Sequence, residues 1–475
     1  MLIKRLLYIS FFILFVPAFI SSCKVAEPPN LPRMQEMPQT FTGSADTSSV
    51  GDIPWNSFFQ DPHLVDLIET SLANNLDLLI AVQRVEMAQA EFQLRRGALL
   101  PSVQGRVTAN IGNLNNRMVG NTVPDRTIQN LNQNYFVGFQ SAWEADVWGR
   151  LRNMRKAAYL RYLASHKGRQ LVRTSLIAEV SRLYYELLTL DNELQIVQKN
   201  IELQETAVEV IKIQKMAGRA TELAVQQFTA QWLGTRALES EIRQNITETE
   251  NNLNLLLGRY TGQLPRGASI LEQPMPEDIR AGVPSGMLLR RPDIREAELE
   301  LTAAKADIEA ARAAFLPSFI ISPYAGLNAG SAGLLFQTPE SIAIGALASM
   351  VAPIFNRRQI RADYSRTVAQ GMESVYNYQQ TILEGYQEVL TDLARIRNYR
   401  DMYELKEQEV AVLQSAVSTA NDLYTTGYAS YLEVITAQRR VLEAELELAN
   451  TRKEIFLSVI ELYRALGGGW KEDNL

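Results

Sequence analysis

Gly282-Val-Pro-Ser-Gly-Met-Leu-Leu-Arg-Arg-Pro-Asp-Ile-Arg295 stands past the middle of a 475-residue chain and closes a joint that begins near Arg259. Pro265, Pro274, Pro276, Pro284 and Pro292 fall in this span. Proline has no backbone donor and clashes inside a helix, so the joint is expected to be extended. What lies on its two sides decides the fold, because the chain says the same thing twice. Arg96-Gly-Ala-Leu-Leu-Pro-Ser102 is answered by Arg312-Ala-Ala-Phe-Leu-Pro-Ser318, and Ala145-Asp-Val-Trp-Gly-Arg150 by Ala352-Pro-Ile-Phe-Asn-Arg357. Met216-Ala-Gly-Arg-Ala-Thr221 is answered by Thr425-Thr-Gly-Tyr-Ala-Ser430, and Leu255-Leu-Leu-Gly258 by Arg464-Ala-Leu-Gly467. Matches in one order at nearly constant offset mark a duplicated unit. The repeats are placed at 61–258 and 293–467, with the joint at 259–292 and a tail at 468–475.

Each repeat changes period in the same way. Asp61-Pro62 supplies an N-cap and a proline at the first helical position. Leu64, Leu67, Ile68, Leu72, Leu76, Leu79 and Val82 then recur at helical spacing, and one helix is expected to run to about Leu100. Val103, Gly105, Val107, Ala109 and Ile111 next alternate with Gln104, Arg106, Thr108 and Asn110, which reads as a strand over 102–112. Tyr135, Val137, Phe139, Trp143 and Ala145 alternate in the same way over 134–146, as do Phe319, Ile321, Ala325 and Leu327 over 318–329. A weaker fourth strand is expected over 341–352. Strands of about ten residues with one apolar and one polar face suit a transmembrane β-barrel.

The helices are unusually long. No proline interrupts the stretches that contain 148–257 and 356–466, and each reads as a long helix, a glycine break and a return. Leu176, Val180, Leu183, Leu187, Leu190, Leu194, Val197 and Ile201 alternate steps of four and three, the repeat of a left-handed coiled coil. Leu432, Ile435, Leu442, Leu446, Ala449 and Phe456 are assigned to the seam of the second return. Gly218 and Gly427 are expected to end the long helices in left-handed conformation.

The N-terminus addresses the chain. Lys4 and Arg5 precede the apolar run Leu6–Ile20, and Ser21-Ser22-Cys23 follow, so residues 1–22 read as a secretory signal. Ile20-Ser-Ser-Cys23 resembles the bacterial lipobox, whose cysteine is acylated and becomes the new N-terminus. Lys24 stands where such lipoproteins often carry the aspartate that retains them at the inner membrane, so the resemblance implies the outer membrane. Residues 23–60 read as a lipid-anchored tether that Trp55, Phe58 and Phe59 plug onto the body.

Composition narrows the chemistry. Cys23 is the only cysteine and His63 and His166 are the only histidines, which rules out a disulfide within the chain and argues against a metal site. There is no phosphate-binding loop, dinucleotide fingerprint or Ser-His-Asp set, so no catalytic residue and no cofactor is assigned. A net charge of −6 with acids and bases interspersed gives no sign of nucleic acid or a polybasic membrane patch. Four strands cannot close a barrel, and backbone groups in lipid must all be paired, so copies of the chain are expected to pool strands. Three copies would give twelve strands and room for an aqueous lumen.

Trp55-Asn-Ser-Phe-Phe-Gln-Asp-Pro62, Leu316-Pro-Ser318, Pro284-Ser-Gly-Met-Leu-Leu-Arg-Arg-Pro-Asp-Ile-Arg295 and Tyr463-Arg-Ala-Leu-Gly-Gly-Gly-Trp470 complete the picture. With these motifs the mature chain resembles the TolC-like outer-membrane efflux factors, in the branch of NodT-type lipoproteins that serve resistance–nodulation–division (RND) pumps. The resemblance implies an α+β membrane protein: a homotrimer with a twelve-stranded barrel on an α-helical tunnel, anchored in outer-membrane lipid. It implies a passive conduit that receives solutes from a periplasmic adaptor and an inner-membrane RND pump. A type I secretion channel for proteins is the alternative. Gly218, Arg219, Gly427 and Tyr428 then fall at the adaptor-docking tips. The family constricts its periplasmic end with a Leu, an Asp four residues on and an Arg three further; this chain supplies Leu432, Thr436 and Arg439. Thr436 replaces the expected acid and Glu433 is the nearest carboxylate, so closure is expected to rest on Leu432, with Arg439 bonding to a neighbouring helix.

Overall fold

The computed structural model describes residues 36–41, 47–113, 131–275, 280–353 and 357–470. The signal segment, Cys23, most of the tether and the polar segment between the first two strands lie outside the described residues. A single helical turn, Trp55–Phe58, leads to α1 (Pro62–Asn74) and α2 (Leu76–Gly97). Strands β1 (Ser102–Asn113) and β2 (Leu131–Ala145) follow, then α3 (Arg150–Met216) and α4 (Glu222–Leu256). Beyond the joint come α5 (Pro284–Arg290), α6 (Pro292–Ala313), β3 (Ser318–Ala329), β4 (Ile342–Val351), α7 (Arg357–Thr426) and α8 (Tyr431–Ala465). The long helices have 67 and 70 residues and their returns 35 each. At 1.5 Å per residue each long helix spans about 100 Å.

Two expectations need correction. The joint is not extended throughout: Pro284 and Pro292 each open a helix. The first helical position needs no backbone donor, so proline starts helices as readily as it breaks them. The first helix is also not continuous to Leu100. Asn75 interrupts it, its Oδ1 accepting from Leu78 N at 3.0 Å while its Nδ2 donates to Leu256 O at 3.0 Å. A short polar side chain that can bond the backbone competes with the helix at that point.

The chain gathers into two compact units, each drawn from both repeats. The first holds residues 86–163 and 299–376 and contains an antiparallel sheet in the order β1-β2-β3-β4. Its register aligns Val107 with Val137, Val137 with Leu327, and Leu327 with Ile342. Directly opposed residues share a face, so one apolar face runs across all four strands. Val107 and Ile344 on that face are each 78% exposed. Gln104, Gln140 and Tyr324 are aligned on the opposite face, where Arg106 Nη1 donates to Gln140 Oε1 at 2.5 Å. β1 and β4 are the edges of the sheet and do not pair with each other.

The second unit holds residues 34–85, 164–298 and 377–475. Leu176, Val180, Leu183, Leu187, Leu190 and Val197 of α3 are buried, as the four-and-three spacing requires. Trp55 and Phe59 are buried against this core, and Phe58 stacks on Tyr463 with ring centroids 4.0 Å apart. Asp61 caps α1 by accepting from His63 N at 2.9 Å, and also accepts from Tyr184 Oη at 2.6 Å and Gln273 Nε2 at 3.0 Å. One carboxylate thereby ties α1, α3 and the joint together.

Candidate functional site

The two hairpin turns are built alike. Gly218 and Gly427 have φ of 71° and 80°, the left-handed region where a side chain is strained. Arg219 N donates to Gln214 O and Tyr428 N to Leu423 O, both at 2.8 Å, closing each helix with a six-to-one bond. A Cβ at either glycine would meet nothing within 4 Å, so backbone strain alone opposes replacement. Lys215 pairs with Glu222 across the first turn, and Thr221 Oγ1 accepts from Ala224 N at 3.2 Å to start α4. Arg219 is exposed and Tyr428 is 86% exposed.

Leu432, Thr436 and Arg439 line one groove between α4 and α8, of about 590 Å³, opposite Gln227, Gln231 and Thr235. Their side chains do not act as the spacing suggested. Leu432 is exposed and Val434 takes the buried position beside Phe228 and Val208, so Leu432 leaves the seam. Thr436 Oγ1 donates to Leu432 O of its own helix at 2.7 Å. Glu433 turns back to accept from Ser430 N, which spends it on the helix start and not on Arg439. Arg439 faces Glu443 at 3.7 Å, four residues along α8, and not a neighbouring helix of the same chain.

Sequence reasoning missed Tyr424 and Gln214. Tyr424 Oη donates to Gln214 Oε1 at 2.5 Å and so links α7 to α3, one hairpin to the other. Burial pushes the Tyr424 hydroxyl above its ordinary pKa and keeps it a donor. Tyr424 lies three residues before Gly427, yet spacing alone could not identify its partner. Gln204 was missed too: it continues the α3 seam after Ile201, is 2% exposed, and has neither amide atom hydrogen-bonded. The run of apolar seam residues drew attention away from the polar one among them.

Two of the motifs that carried the resemblance, the joint and the C-terminal segment, meet in one clasp. Arg291 donates to both Asp293 oxygens at 3.1 and 2.6 Å, to Glu388 Oε2 at 2.6 Å and to Ala465 O at 3.1 Å. Burial works against its charge, but Asp293 and Glu388 outweigh it and hold the guanidinium above its ordinary pKa. Trp470 Nε1 donates to Arg290 O at 2.8 Å, so the C-terminal Gly-Gly-Gly-Trp segment closes over the joint. These residues hold the fold.

An uncovered apolar sheet with two open edges, followed in each repeat by a hairpin of very long helices, defines a subunit of a membrane channel. The chain belongs to the outer membrane efflux protein family, whose sequence pattern matches residues 67–259 and 283–468. The cation efflux system protein CusC of Escherichia coli O6:H1 is 30% identical over 461 residues, covering 95% of this chain and 97% of its own. The solvent efflux pump outer membrane protein SrpC of Pseudomonas putida is 30% identical over 447 residues, 93% of this chain and 94% of its own. The open state of the Neisseria gonorrhoeae MtrE outer membrane channel superposes with a TM-score of 0.81 at 26% identity, covering 94% of this chain and 99% of that one. The fold is that of the TolC-like channels, and the protein is an outer-membrane efflux channel component.

Proposed function

We propose that three copies of this chain form a passive conduit that passes solutes from a periplasmic adaptor and an inner-membrane RND pump across the outer membrane. The observation that carries this reading is the open sheet. β1 and β4 end a four-stranded sheet whose apolar face is uncovered, and backbone groups facing lipid must be paired. Three sheets joined edge to edge give twelve strands and a lumen, whereas two give eight, a barrel that side chains fill. Gly218, Arg219, Gly427 and Tyr428 present the adaptor-docking tips. Leu432, Thr436 and Arg439 form the resting constriction, with Leu432 as its main barrier because no carboxylate stands at Thr436. Cys23 carries the lipid anchor; mass spectrometry of the mature N-terminus should find it acylated, and an unmodified Cys23 or a cut elsewhere would refute the anchor.

Single-channel recording in a planar bilayer tests the conduit. Discrete conductance steps are expected, and their absence would leave a periplasmic scaffold instead. The cargo class follows from deleting the gene and profiling sensitivity to metal ions, dyes, bile salts, solvents and antibiotics. Loss of protein export without any change in sensitivity would favour a type I secretion channel.

A further inference from the structure

Charge balance over the whole chain conceals a surplus of cations where the strands end. Asp77, Glu222, Asp293 and Glu433 stand in the first turns of α2, α4, α6 and α8, as the helix dipole favours, while α1 and α5 carry no acid there. α3 and α7, which follow β2 and β4, carry none. They open on Arg150-Leu-Arg-Asn-Met-Arg-Lys156 and Arg357-Arg-Gln-Ile-Arg361. Cations in the first turn of a helix run against the dipole, which bears on Arg150, Arg152, Arg357 and Arg358; Arg155, Lys156 and Arg361 lie beyond that turn.

Two of these cations have partners. Arg150 holds Glu144 through Nη2 at 2.7 and 2.9 Å, and Arg152 Nε meets Asp146 at 3.2 Å. Asp146 also accepts from the backbone of Leu151 and Arg152 at 3.1 and 2.9 Å, which consumes the acids on this side. Arg155, Lys156, Arg358 and Arg361 are exposed and have no carboxylate partner among the described residues. Beside this junction lies an open hollow of about 580 Å³, lined by Trp148, Leu316, Pro317, Pro353 and Ile360 together with the paired Glu144, Asp146 and Arg150. Trp148 is 46% exposed and donates from Nε1 to Pro317 O at 2.7 Å. None of the four lines that hollow, but all lie within the first two turns of the helices that follow β2 and β4; a half-exposed indole and unpaired cations at the end of strands that cross a membrane match what the membrane–water boundary favours.

We propose that Arg155, Lys156, Arg358 and Arg361 form a phosphate-binding girdle that holds anionic phospholipid headgroups in the leaflet meeting the strand ends. The proposal rests on the reading that β1–β4 cross the outer membrane. Charge complementarity selects this occupant: a phosphodiester lipid supplies an anion to four exposed cations that no carboxylate of the described residues pairs, and its acyl chains continue onto the apolar sheet face.

The test uses the full-length assembly in nonionic detergent, with phosphatidylglycerol or phosphatidylcholine of equal chain length added. Retained lipid is counted by native mass spectrometry at graded salt. The wild type should retain phosphatidylglycerol in preference, and the preference should fall as salt rises. The variant R155Q/K156Q/R358Q/R361Q should bind phosphatidylglycerol at least about tenfold more weakly, and the R155Q/K156Q and R358Q/R361Q pairs should fall between. K199Q/R397Q removes the same charge as one pair but lies in the other unit, and should match the wild type. Single-channel conductance in phosphatidylcholine bilayers is recorded on the same samples. A wild type that does not conduct would sink the channel reading whatever its lipid count. Equal phosphatidylglycerol binding by wild type and fourfold variant would overturn the girdle. A changed ion selectivity with unchanged lipid binding would overturn it too and turn the cations toward permeating solutes. If the fourfold variant does not assemble, the two pair variants decide, and unchanged binding in both overturns the proposal.

Discussion

Leu432 and Val434 show how two residues of similar character divide into barrier and core. Val434 is 3% exposed and completes a cluster with Phe228, Val208 and Ile211, while Leu432 projects into the groove beside Thr436 and Arg439. Leu432→Ala should therefore raise single-channel conductance and antibiotic uptake more than Thr436→Ala, whose hydroxyl is already satisfied by its own helix. Wild-type conductance in both variants would place the constriction elsewhere. Heptad spacing could not separate the two roles, since the residues are only two apart and a phase change of that size exchanges them. Asp392 of α7 offers a residue-scale test of stability. It is 5% exposed and receives Arg395 Nη1 at 3.2 Å. Burial pushes its carboxyl up to about 6 from 3.8; Arg395 opposes this, Glu461 adds to it, Arg464 opposes it and Glu388 adds to it. A folded pKa above the unfolded one means the protonated form favours folding, so this group's stabilisation is full below pH 4 and lost as pH rises through about 6. A shift of that size is worth on the order of 2–3 kcal/mol. Asp392→Asn should raise Tm by several degrees at pH 7.5 and leave it unchanged near pH 4. Thermal melts at the two pH values check this, and an equal effect at both would show that burial of the charge is not the cause.

Among the elements, the turns were the most legible and the joint the least. Gly218 and Gly427 were readable because helix closure demands φ near +70° and only glycine reaches it without strain. Gly427→Val should cost about 1–2 kcal/mol of local strain. Its trimer should still reach the membrane, while adaptor crosslinking and drug resistance fall; normal values of both would remove the tip from the docking surface. The strands were legible because apolar and polar residues alternate on a pleated sheet. The joint was misread because proline signals both a break and a helix start, and only the following residues decide which. The helix break at Asn75 was hidden for a related reason: Leu64 to Val82 keep helical spacing straight through it, and only its bond to Leu256 O reveals it. The Tyr424–Gln214 link joins residues 210 apart in sequence, and no local pattern could carry it.

For the whole molecule, duplication explains why one chain has two hairpins of matching length and a sheet shared equally between the repeats. Each repeat contributes two strands and one edge. The apolar face and the two edges are left for something outside the chain to cover, and identical copies supply matching edges in a closed ring. What the sequence could not reveal is the clasp that joins the repeats. Arg291 and Trp470 lie 179 positions apart, and their motifs identified the family without indicating that each bonds the backbone of the other's segment. The central claim is that this chain is one third of a channel. Light scattering of the purified, conducting protein, corrected for bound detergent and lipid, measures this directly. Three chains of 53.4 kDa should give a particle of about 160 kDa. An active particle with the mass of one chain or two would contradict the account.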